Sequence, residues 1–193
     1  MTEDRSEGAY HRQDRKISLT PMLLLYALMF VISDAIAFFA LQKPLFAPWP
    51  KPWIHCVGLG VVVAAGVIVL DRLIERLSRV ARALNERFIK LLGPLKPSDC
   101  LLLALASSLG EEALFRGVLL PFLGFVPSSI IFGLMHWGGR DKVMWLWTII
   151  ATGMGFAFGA MTLYTGNIVA ATIAHFFINF INLLRISRQN QEP

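Results

Sequence analysis

The sequence predicts an all-α protein: a polytopic transmembrane helix bundle of about six spans, with one further amphipathic helix on its cytoplasmic side. Three observations predict it. Of the 193 residues, 55% are hydrophobic, and the mean hydropathy of +0.59 lies well above the range of soluble domains. Several segments hold the roughly 20 mainly apolar residues needed to cross about 30 Å of hydrocarbon at about 1.5 Å per helical residue. When those segments are threaded alternately through a bilayer, the Lys and Arg residues gather on one face.

The first 18 residues are polar and charged, and the apolar run at 19–41 is 23 residues long. That is too long for the core of a cleaved leader, so a retained first span is expected, with Asp34 as its one charge. Residues 43–53 contain four prolines and two tryptophans, a composition that resists helix and suits an extended interfacial loop anchored by its rings. A second span follows at 54–70. Beyond it, Leu73, Ile74, Leu77, Val80, Ala81, Leu84, Phe88 and Leu91 recur at helical spacing with arginines between them. This predicts either a surface-lying amphipathic helix or a plain extension of the second span.

Segments 100–120 and 121–137 read as the third and fourth spans only if their polar residues have a use. The fourth is short and contains Pro127, which predicts an irregular start. The fifth, 143–163, is uncharged, and Ala151, Gly155 and Gly159 recur along it every fourth residue. Such a smooth face predicts close packing inside the bundle, with a homodimer through the same face as the alternative. The sixth span is 168–184. Cys56 and Cys100 fall near opposite membrane faces, so they are expected to be small buried hydrophobes rather than a disulfide.

Threaded this way, fifteen Lys and Arg lie on one side and two on the other, with Arg116 inside a span. Both termini are therefore expected in the cytoplasm, in the plasma (inner) membrane of a prokaryotic cell. Anionic headgroups account for the net charge of +5, and no nucleic-acid partner is expected. The chain reads as one structural domain. Residues 1–94 hold the tail, two spans and the amphipathic helix, residues 95–185 a membrane core, and residues 186–193 a cytoplasmic tail.

Ionisable groups at membrane depth cost from about 2.5 kcal/mol to more than 10 each, so several together call for partners or a task. The third span carries Glu111, Glu112 and Arg116 in SSLGEEALFRGVLLP. Four residues apart on a helix, Glu112 and Arg116 are neighbours and can pair, whereas Glu111 points elsewhere and is left to meet another group. The fourth span places His136 one turn after Phe132, and the sixth places His175 one turn before Asn179. Singly, these are ordinary interhelical hydrogen-bonding residues. Jointly they supply a base, its partner, and donors for a developing negative charge, which is the inventory for amide hydrolysis.

The order EExxxR, FxxxH, HxxxN, each motif on its own apolar helix, resembles the CPBP family of CAAX proteases and bacteriocin-processing enzymes. The matching residues are Glu111, Glu112 and Arg116 in EEALFRG, Phe132 and His136 in FGLMH, and His175 and Asn179 in HFFIN. The resemblance implies a glutamate-dependent intramembrane endopeptidase. Its catalytic residues would be Glu111, His136, His175 and Asn179, with Glu112 and Arg116 supporting. Glu111 and His136 would activate water, and His175 and Asn179 would stabilise the oxyanion. The expected partners are the lipid bilayer and a membrane-embedded or lipidated protein substrate. No cofactor is expected. A zinc site is the weaker alternative, because HExxH is absent and ligands would have to come from three helices. The alternative outside enzymology is a non-catalytic scaffold or immunity protein of the same fold.

Overall fold

The structure, a computed structural model, describes residues 18–46 and 51–189. The N-terminal tail, the centre of the proline-rich loop and the last four residues lie outside the described residues. Among the described residues seven helices follow one another: α1 (Leu19–Phe39), α2 (Trp53–Leu77), α3 (Arg79–Leu92), α4, α5 (Phe125–Met135), α6 (Lys142–Thr165) and α7 (Val169–Gln189). Helix α4 is continuous but changes pitch, from an α-helix (Pro97–Glu112) through a π-helical stretch (Ala113–Leu119) to a last α turn (Leu120–Leu123). Among the described residues there is no strand.

Helices α1, α2, α6 and α7 are long and apolar enough to cross a membrane. Large apolar side chains such as Leu24, Leu28, Val62 and Val69 stand outward on α1 and α2. In water such a surface would drive aggregation; in lipid it is ordinary solvation, and the protein is an integral membrane protein. Helix α4 matches the others in length but carries the buried charges. The segment 121–137 differs from a simple span. The chain turns at Gly124, whose φ of +86° lies in a region L side chains rarely adopt. Helix α5 then restarts with Pro127 in its first turn, where a missing N–H is harmless. Its 11 residues reach about 16 Å, roughly half a crossing.

Of the two readings of residues 71–92, the structure combines both. Helix α2 runs on to Leu77, and the chain then breaks at Ser78, whose hydroxyl caps α3 by accepting from the Ala81 N–H at 3.3 Å. Arg82 donates to the Glu75 and Arg76 carbonyls at 3.1 and 2.9 Å, covering the open end of α2. Helix α3 packs across the start of α6 and the end of α7. Phe88 meets Trp147 edge-on at 5.0 Å, and Arg87 pairs with Asp141 at 2.7 Å.

Helix α7 sits between α2, α4 and α6. One core lies where Cys56 and Ala64 of α2 meet Phe158 of α6 and Ala170, Ala171 and Ala174 of α7. Another joins α1, α4 and α7 around Leu19, Cys100 and Leu103. Both cysteines are free and buried. The small-residue face of α6 is used inside the bundle. A Cβ on Gly155 would stand 2.6 Å from the Ser129 carbonyl oxygen, and one on Gly159 would stand 2.8 Å from the Phe125 ring. Helix α5 therefore covers the face that the sequence also offered to a second copy. Asp34 is exposed on α1, and residues 186–189, expected in the tail, continue α7.

Candidate active site

Glu111 and Glu112 are the last two residues of α4 before its pitch widens. A π-helical stretch is a rare departure from the α pitch and is found frequently at functional positions. Arg116 lies within it, and the pairing expected from an α-helix survives: Arg116 Nη1 donates to Glu112 Oε1 at 3.0 Å. Both side chains are buried, Glu112 completely. Arg116 Nη2 donates to the Gly155 carbonyl at 3.1 Å, and the guanidinium lies 4.3 Å over the Phe132 ring and 5.2 Å over Phe158. Cation and rings together replace the water that the charge has lost.

The pair has a third member that the sequence did not indicate. His175 Nδ1 donates to the same Glu112 oxygen at 2.8 Å, and its ring stacks on Phe158 at 5.1 Å with 21° between planes. Fixing the Nδ1 proton leaves Nε2 as the acceptor of the neutral ring. His136 is fixed likewise. It follows the last residue of α5, and its Nδ1 lies 2.7 Å from the Phe132 carbonyl oxygen, which can only accept. Its Nε2 is therefore also a lone pair when the ring is neutral.

Both lone pairs face Glu111. Its Oε2 lies 3.7 Å from His136 Nε2 and 3.9 Å from His175 Nε2, and this buried oxygen accepts no hydrogen bond. These separations are too long for direct hydrogen bonds, but they suit a bridging water whose two O–H groups donate to the Glu111 carboxylate and to one imidazole Nε2. Side-chain exposure rises from 6% at His175 through 10% at Glu111 to 22% at His136, so the cluster opens on the His136 side. Trp147 stands edge-on to His136 at 5.5 Å.

Asn179 lies one turn further along α7 but is tied down elsewhere: its Nδ2 donates to Ser107 Oγ at 3.0 Å. Ser107 lies one turn before Glu111 on α4, so its place on the glutamate's face was readable from spacing alone. Phe158, Trp147 and Tyr26, whose phenol lies within hydrogen-bonding reach of Glu111, carried no such signal. Aromatic residues in apolar spans look alike whether they face lipid or a site. Among the described residues, no group of three His, Cys, Asp or Glu side chains has metal-holding geometry.

No solved structure matches the chain. The uncharacterized protein YpbD of Bacillus subtilis (strain 168) is 27% identical over 165 residues, covering 84% of each chain. Residues 94–181, from the loop before α4 to the middle of α7 and including Glu111, Glu112, Arg116, His136, His175 and Asn179, match the Rce1-like family described as type II CAAX prenyl endopeptidases. Through this membrane core the chain is similar to that family of proteases.

Proposed function

We propose that the protein is a glutamate-dependent intramembrane endopeptidase that hydrolyses a peptide bond of a membrane-associated substrate. The observation that carries the reading is the buried, unpartnered Oε2 of Glu111 facing two imidazole Nε2 atoms. A water there is activated by the Glu111 carboxylate, with His136 sharing the proton, and attacks the carbonyl carbon. His175 contributes to the oxyanion as an imidazolium that carries its second proton before the attack, since only that form donates from Nε2 while Nδ1 stays on Glu112, and the proton taken from the water passes from Glu111 to the departing amine nitrogen. Asn179 keeps one N–H beyond its bond to Ser107 and is the second donor for the oxyanion. Glu112 and Arg116 hold His175 in place.

The reading uses no metal. The bilayer is the medium, and the substrate is a membrane-embedded or lipidated polypeptide. The matched family's name suggests a prenylated CAAX tail as the first probe, and a single-span peptide is the second. Purified protein in liposomes should cleave at least one, the activity should survive a strong chelator, and Glu111→Gln should abolish it without loss of folding. Loss with the chelator would favour zinc. A Glu111→Gln protein that keeps its cellular effect would favour a scaffold.

The proposed topology has both termini and α3 in the cytoplasm of a prokaryotic cell, with water reaching the site from that side through the His136 opening. A cysteine placed at Arg79 should resist impermeant thiol reagents applied to intact cells. Labelling from outside would reverse the arrangement.

A further inference from the structure

Helix α1 lies outside the matched core, yet its inward stripe of Leu19, Met22, Leu23, Tyr26, Phe30, Ser33 and Ala37 runs along α4 at a spacing of three and four residues. The approach is closest at Tyr26. A Cβ on Gly110 would stand 2.6 Å from the Tyr26 carbonyl oxygen and 3.2 Å from its Cα, so only glycine lets the two backbones meet there. The residue after that contact is Glu111. Tyr26 is half-buried against the Leu95, Cys100 and Leu103 cluster, and its phenol reaches the Glu111 carboxylate.

The consequence concerns rotamer control. Glu111 has three side-chain torsions, and its two imidazole neighbours are too distant to hold it directly. A phenol that donates to the carboxylate from a third helix restrains those torsions and keeps Oε2 toward His136 and His175. We propose that Tyr26 is a positioning residue for Glu111, so that the first span completes the proteolytic site. This rests on the reading of Glu111 as the base.

The test uses Tyr26→Phe, which keeps the ring and its packing and removes only the hydroxyl. Full-length protein in liposomes is assayed on the prenylated CAAX peptide and the single-span peptide. The expected result is a fall in kcat of about tenfold or more, the usual scale for a lost hydrogen bond to a charged group. KM and the melting temperature should stay near the parent's. Parental kcat in Tyr26→Phe would overturn the proposal while leaving the protease reading intact, as would a fall that tracks lost thermal stability. A parent protein that cleaves neither peptide would overturn the protease reading, and with it the role of Tyr26.

Discussion

Glu112 has no exposed surface, yet it accepts from both Arg116 and His175. Removing either charge of the Glu112–Arg116 pair strands the other where water cannot reach it, at a cost of about 3 to 5 kcal/mol. Glu112→Ala and Arg116→Ala should each lower the melting temperature or the yield of folded protein sharply. Thermal denaturation in detergent checks this, and parental stability in both would show that the pair is not a buried one. The pair was legible in the sequence because a four-residue spacing is local geometry. The His175 contact was not, because it depends on how α7 lies against α4, and no helical period encodes that. The same reason hides the bond from Asn179 to Ser107. Chemical types and their order were readable, but the wiring between helices was not.

Apolar length is what sequence registers best at the level of elements, and α1, α2, α6 and α7 lie close to where hydropathy places them. It could not show that α4 holds on through residue 123 or that α5 is a half-length helix, since the division depends on one backbone angle at Gly124. Nor could it show what α3 does. Asp141 caps α6 by accepting from the Val143 and Met144 N–H groups, each at 3.0 Å, and it also accepts from Arg87 of α3. The Met144 N–H first, and then Arg87, hold its carboxyl below the ordinary value of 3.8. A depressed folded pKa stabilises the fold at pH above the unfolded value and loses that stabilisation as pH falls through the folded one. Spin labels on α3 and α6 should therefore report constant separation from neutral pH down to the ordinary carboxylate range, and loosening below it. Asp141→Asn should loosen α3 already at neutral pH. No change in either case would mean that the apolar contacts around Phe88 and Trp147 hold α3 alone.

At the scale of the whole molecule, the buried ionisable side chains Glu111, Glu112, Arg116 and His175 gather where α4, α5 and α7 meet while apolar surface turns outward to the lipid, an arrangement only a membrane protein can keep. Helix α1 contributes Tyr26 to that meeting point, and α3 braces the side on which His136 opens. The central claim is that Glu111 makes this cluster a hydrolase. The most direct measurement compares the termini of membrane proteins in cells producing the parent chain with those in cells producing equal amounts of Glu111→Gln. The account predicts new termini in or beside membrane segments that are present with the parent and absent with the variant. Identical termini in the two, with both proteins folded and in the membrane, would contradict it.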